Sequence, residues 1–256
     1  QENVARVICQ VCNADGTPSW TDSRHILQET VKRAEKMGLD FDFDFQCEFY
    51  LFHTDDDGRP TTVTHEVAGY YDAGPIDLAE GVRRDMILSL EEAGFAIEST
   101  HHGLTAGQHS FVLPARRGIE AADYLQTFKA AVKRIAKRHG LHATFMPKPK
   151  AGVNGSGMHI NMSLGDVHGN NMFVDESDSL GLSKVAYQFM AGILAHIKEI
   201  TLLTNPLVNS YKRLVPGYDA PVCIAWSSLA NRSALIRIPS SKGDSTRIEL
   251  RCPDSA

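Results

Sequence analysis

The chain has 256 residues, 43% of them hydrophobic, enough to bury a sizeable core in one large domain or two small ones. Its net charge of −5, with no sustained run of Lys and Arg, gives no electrostatic reason to expect a nucleic acid or an anionic membrane as partner, so a small or metal-complexed ligand is the better default. Five cysteines, an odd and sparse set, speak against a disulfide framework and fit a reducing cytoplasm, and no signal peptide or bilayer-spanning run is present in the sequence.

Taken in chain order, alternation in ARVICQVCN predicts a strand over 4–11. Cys9 and Cys12 are structural thiols there, because no second Cys or His pair stands at zinc spacing. A helix opened by Asp22 or Ser23 and closed by Gly38 follows. The stretch FDFDFQCEFYLF, Phe41 to Phe52, then alternates strictly, so Asp42, Asp44, Gln46 and Glu48 line one face of a strand while Phe41, Phe43, Phe45, Cys47, Phe49 and Leu51 pack beneath. Pro75 suits the first turn of a helix ending at Gly94. FAIESTHH predicts a strand with Glu98, Thr100 and His102 on one face, and a helix covers 119–139.

HATFMPKPKAGVNGSG reads as a strand entering a glycine-rich loop, and GMHINMSL as another comb with His159, Asn161 and Ser163 on one side. The apolar stretch at 181–203, interrupted by His196, Lys198 and Glu199, predicts a buried helix. NPLVNSYKRLVPGYDAP predicts irregular chain, and short strands are expected at 221–227, at 234–239 and in TRIELRC, where Arg247, Glu249 and Arg251 share a face. The sum is an α+β domain spanning 1–256, built on a largely antiparallel curved sheet that forms an active-site wall, with helices on its outer face. The polar rows of four strands then converge on one concave surface, and a mixture of carboxylates, imidazole and guanidinium is the chemistry of divalent metal with phosphate.

The segments KPKAGVNGSGMHINMSL, NSYKRLVPGYDAP, NRSALIRIP and RIELRCPD, in this order, resemble the signature motifs of type I glutamine synthetase, with weaker similarity through the rest of the chain. The resemblance implies an ATP-dependent ligase. ATP phosphorylates the side-chain carboxylate of glutamate, and ammonia displaces phosphate from γ-glutamyl phosphate with the help of two Mg²⁺ or Mn²⁺ ions. By that likeness Glu48 is a ligand of the first metal, and His159 and Glu249 of the second. Asn154, Gly155, Arg213 and Arg251 hold glutamate, while Arg232 and Arg237 meet the transferring and nucleotide phosphates. Glu98 and Ser163 contact the nucleotide, and Asp219 is the flap acid that takes a proton from ammonium. Asp42 and Asp44 match no role and are expected to be solvated at the strand's entrance. The family's N-terminal β-grasp domain and C-terminal portion would lie outside this chain, which reads as a piece of a longer cytoplasmic protein forming a dodecamer of two hexameric rings.

The chain departs from the family pattern at specific places. Gln46, Gly103 and Ser110 stand where the family has glutamate ligands, and Asp219 stands where it has glutamate. The first metal site keeps only Glu48 of its three acids and is expected to bind metal poorly, whereas Gln46 still offers a neutral oxygen to the second. Three functions are therefore weighed: glutamine synthesis, a γ-glutamyl ligase for another amine, and a noncatalytic ring-forming or regulatory relative.

Overall fold

In the computed structural model, which describes residues 5–228 and 231–256, the comb becomes strand β1, Leu39–Thr54, and the sheet is assembled around it. β1 pairs antiparallel with β2 (Pro60–Thr64), β4 (Gln108–Val112), β5 (Arg116–Arg117), β6 (Leu141–Thr144) and β7 (Met158–Asp166). β3 (Ser99–His102) extends the sheet past β4, and β10 (Ile248–Leu250), β9 (Ala234–Arg237) and β8 (Cys223–Ser227) extend it past β7, giving the order β3-β4-β1-β7-β10-β9-β8. Among the described strands only β8 with β9 is parallel, so the largely antiparallel α+β reading holds.

The apolar teeth of β1 supply the core. Cys47, Phe49 and Leu51, fully buried, pack with Phe111 against Met86 and Leu90 of α2 (Glu80–Glu92) and Phe128 and Val132 of α3 (Gly118–Arg138). Each such side chain contributes roughly 1.5–3 kcal/mol of burial. A second cluster lies under α4 (Lys184–Thr204), where Met190 and Ile197 meet Leu235, Ile236 and Ile248; Phe43 and Ile160 touch both clusters and join them. The helices thus occupy the apolar side of the sheet, and the polar rows are left on the other.

Several expectations need correction. Residues 5–11 form no strand, because no described strand takes their backbone hydrogen bonds; Cys12 makes an isolated bridge with Pro18, and Cys9 and Cys12 are exposed free thiols. Residue 4 of that predicted strand lies outside the described residues. The first helix, α1 (Ser23–Lys36), is as expected, with Asp22 accepting from Arg24 N. α2 begins at Glu80 rather than at Pro75: Asp77 accepts from Ala79 N at 3.0 Å and marks the helix entrance. The predicted irregular segment contains a short helix, α5 (Val208–Arg213). Finally, α4 buries a single stripe, leaving Leu202 and Leu203 exposed.

Candidate active site

Strand pairing sets the polar rows. Asp44 lies opposite Asn161, Asn161 opposite Glu249, and Glu249 opposite Arg237; one pair along, Gln46 faces His159. On the other side of β1, Glu48 lies opposite Ser110, and Ser110 opposite His101. Two cavities follow this face. One, of about 260 Å³, is lined by Gln46, Glu48, His159, Asp219, Arg232, Arg237, Arg251 and Gly103 among others; the second, of about 300 Å³, by Asp42, Asp44, Glu98, Asn161, Ser163 and Arg247.

Glu249 is the electrostatic centre. Its carboxylate is 1% exposed and meets Arg237 Nε at 2.7 Å, Arg251 Nη1 at 3.0 Å and His159 Nδ1 at 3.1 Å. Burial alone would raise its pKa, but the His159 contact and the charges of His159, Arg237 and Arg251 outweigh burial and hold the carboxyl at about 2. Glu48 is different. Burial pushes its pKa up, opposed by the charge of His159 and by Gly157 N, which donates to Glu48 Oε2 at 2.7 Å. Asp219 receives Arg232 Nη1 at 2.9 Å and lies 3.6 Å from Arg251 Nη2, while Arg232 stands over the Tyr70 ring.

The loop 154–157 is fixed from beneath. Tyr50 Oη donates to Asn154 O at 2.7 Å, Gln108 Nε2 to Gly155 O at 3.0 Å, and Ser156 N to Pro147 O at 2.9 Å. A Cβ at Gly155 would sit 2.1 Å from Pro147 O, so no other residue fits that turn. Asn154 Oδ1 accepts from Asp219 N at 3.0 Å, tying this loop to the segment that carries Asp219.

Most sequence-predicted residues gather here: Gln46, Glu48, Gly103, His159, Asp219, Arg232, Arg237 and Arg251 line the first cavity, and Glu98 and Ser163 the second. Glu249 lies buried beneath, and Ser110 is buried beside Gln46, whose Nε2 donates to Ser110 Oγ at 3.2 Å. Arg213 lines neither cavity. It is buried behind the loop, where it donates to Cys252 O and Pro253 O.

Two expectations change. Asp44 is not solvated: it is buried, bound to Asn161 Nδ2 and 3.8 Å from Arg247. His102 does not share the site face, because the pairing of β3 with β4 turns His101 toward the cleft and His102 away. Sequence reading also missed Tyr70, Tyr71 and Leu104, which wall the cavity from loops; His101 was recoverable by shifting the alternation one residue over STHH alone, since Glu98 stands before β3. Tyr71, held at φ +60°, stacks on His101 with ring centres 4.5 Å apart.

The donors of one hard divalent ion are adjacent: the ionised Glu249 carboxylate, the His159 imidazole and the Gln46 amide oxygen, so these residues fit one ion. Around Glu48 they do not fit a second. Gln46 Nε2 donates to Ser110 Oγ and neither side chain carries charge, and a side chain at Gly103 would collide with Gln108, whose Cγ lies 2.7 Å from the Cβ position.

The sequence matches the family "Glutamine synthetase, catalytic domain" over residues 20–256. It is 56% identical over 254 residues to a glutamine synthetase of Clostridium saccharobutylicum and 51% identical over 257 residues to one of Staphylococcus aureus, covering 99% and 100% of this chain and 57% of each relative. The chain therefore spans just over half the length of these curated relatives. A cryo-EM structure of Plasmodium falciparum glutamine synthetase superposes with a TM-score of 0.85 at 26% identity, covering 96% of this chain and 54% of that one.

Proposed function

The chain belongs to the glutamine synthetase catalytic-domain family, and from that premise we propose that it is the catalytic portion of a ligase that makes glutamine from glutamate, ammonia and ATP. The observation that carries the reading is the Arg237–Glu249–Arg251 cluster beside His159: an ionised acid and convergent guanidinium groups on the polar face of one sheet. Arginines in this arrangement can take phosphate and carboxylate oxygens in fixed forks. In this reading Arg237 and Arg232 hold the phosphates of ATP, and Glu98 and Ser163 contact its nucleoside in the second cavity. Glutamate is held by Arg251, Asn154 and the Gly155 backbone, with Arg213 acting from behind by fixing the carbonyls of Cys252 and Pro253. Once the side-chain carboxylate of glutamate has taken the phosphoryl group, Asp219 accepts a proton from ammonium so that the free amine can displace phosphate. A Mg²⁺ or Mn²⁺ at Glu249, His159 and Gln46, when bound, would offset charge on the transferring group.

The test is release of phosphate from ATP by the full-length protein, dependent on both glutamate and ammonia, together with Mn²⁺-dependent γ-glutamyl transfer. Absence of both at saturating metal would refute the reading. One observation favours a second: near Glu48 the partners are the neutral Gln46, Ser110 and Gly103, as a noncatalytic relative that binds nucleotide or glutamate would tolerate. Calorimetry separates the two, since nucleotide affinity indifferent to added Mg²⁺ supports the second. Family membership also motivates a cytoplasmic dodecamer of two hexameric rings, to be measured by light scattering.

A further inference from the structure

The far side of the same sheet carries a polar group that the ligase chemistry leaves unused. Because β3 and β4 turn His101 and Ser110 to the cleft, His102 and His109 point the opposite way, where Glu66 meets them from the segment after β2. All three are buried, at 5%, 0% and 0% exposure for Glu66, His102 and His109, and one donor atom from each lies within 4.8 Å of the other two.

Their hydrogen bonds account for some atoms and strand others. Glu66 Oε1 accepts from His102 Nε2 at 2.6 Å and from Gly107 N at 2.7 Å, and His102 Nδ1 donates to Gly103 O at 2.8 Å. Arg83, paired with Asp77 at 2.6 Å, donates to His109 Nδ1 at 3.0 Å. Within Glu66, His102 and His109, two side-chain atoms remain buried with no hydrogen-bond partner: Glu66 Oε2 and His109 Nε2. Interiors seldom leave such atoms unmet. Two imidazoles and a carboxylate are also a ligand set suited to a zinc-class ion rather than to Mg²⁺. His102 already has the posture of a metal-bound histidine, its outer N–H on a backbone carbonyl.

We propose that Glu66, His102 and His109 form a buried site for a zinc-class divalent ion, separate from the cleft and independent of the ligase reading. Binding requires a defined movement of protons. His102, which donates through both ring nitrogens, gives up its Nε2 proton to solvent and ligates through that atom. The proton on His109 moves from Nε2 to Nδ1, freeing Nε2 for the ion, and Arg83, which can only donate, withdraws to Asp77. One proton leaves per ion bound. Glu66 stands four residues before Tyr70, and Tyr71 N donates to His102 O at 3.2 Å, so the ion staples the loop carrying both tyrosines to the back of β3.

The experiment uses the full-length protein, stripped with a chelator and titrated with Zn²⁺ alone by calorimetry in two buffers of different ionisation enthalpy, with zinc counted by mass spectrometry after gel filtration. The expected result is one retained zinc per chain with one proton released. Glu66→Gln and His109→Gln should each weaken it at least tenfold, whereas His159→Asn, on the cleft side, should leave it in place. No retained zinc, or retention indifferent to Glu66→Gln and lost in His159→Asn, would overturn the proposal and leave a hydrogen-bond network closed by water. If the Glu66 and His109 variants do not fold, Co²⁺ in His159→Asn, which disables the cleft donors, decides: an intense tetrahedral visible spectrum displaced by one equivalent of Zn²⁺ supports the site, and its absence refutes it.

Discussion

Replacing Glu249 with glutamine tests whether the Arg237–Glu249–Arg251–His159 cluster is the electrostatic centre that its geometry implies. The side chain keeps its shape and loses its charge. Lowering a carboxyl from its ordinary 4.5 to about 2 corresponds to about 3 kcal/mol of stabilisation at neutral pH. Because the folded pKa is depressed, this stability is fully present above the unfolded value. It is lost as pH falls from about 4.5 through about 2, with roughly 1 kcal/mol left at pH 3. The assay is urea unfolding followed by circular dichroism, with a chelator present so that only protein groups titrate. The wild-type protein should exceed Glu249→Gln by about 3 kcal/mol at pH 7, and the difference should shrink to about 1 kcal/mol by pH 3. The amide of the variant retains some hydrogen bonding to Arg237, which lowers the offset but adds no pH dependence. A difference that stays flat from pH 7 to pH 3 would refute the reasoning.

Three further outcomes are expected. Gly155→Ala forces a methyl to within 2.1 Å of Pro147 O and 2.7 Å of Arg213 Cγ, so it should cost about 1–3 kcal/mol or more in unfolding experiments and weaken glutamate binding by calorimetry. Ser110→Glu sets a second acid, at a buried position, opposite the half-buried Glu48; the variant should melt lower than the wild type without metal and gain a larger thermal shift from Mn²⁺, whereas Gly103→Glu, which collides with Gln108, should not show that larger Mn²⁺ gain. With a thiol reagent under native conditions, the exposed Cys9, Cys12 and Cys223 should react promptly. Cys47 and Cys252, pushed by burial up to about 12 and about 11, should react only on unfolding.

Much of the site was legible because strict alternation carries direction as well as secondary structure. In β1, Phe and acid alternate without a break up to Gln46, so the polar face containing Gln46 and Glu48 could be assigned from the residues alone, and the same holds for His159, Asn161 and Ser163 in β7. β3 failed on the same criterion: it is four residues long, both of its last two positions are histidine, and the pattern is nearly symmetric to a one-residue slip. The apparent strand before Cys12 failed for another reason, since alternation supplies a face but not a partner strand. Asp44 reads as solvated in sequence because its partners Asn161 and Arg247 lie far along the chain. Tyr70, Tyr71 and Leu104 were invisible because loop side chains are positioned by tertiary contacts, in this case the hydrogen bond of Tyr71 N to His102 O.

The central place of β1 has a consequence for the order in which the protein folds. It takes its neighbours both from the hairpin that follows it directly and from β7, more than a hundred residues later, while β10, which delivers Glu249 to the cluster, must in turn dock on β7. Pairings so distant in sequence carry a loop-closure cost before they return any stabilisation, which slows folding. During synthesis the phenylalanine-rich side of β1 emerges before α2 and α3, which cover most of it, and well before α4, whose Phe189 meets Phe41, so that side stays open until those helices follow. Within this chain the cleft consequently assembles after the core: without β10 and the residue that follows it, much of the core beneath α2 and α3 can form, but Glu48 stands without Glu249 and Arg251.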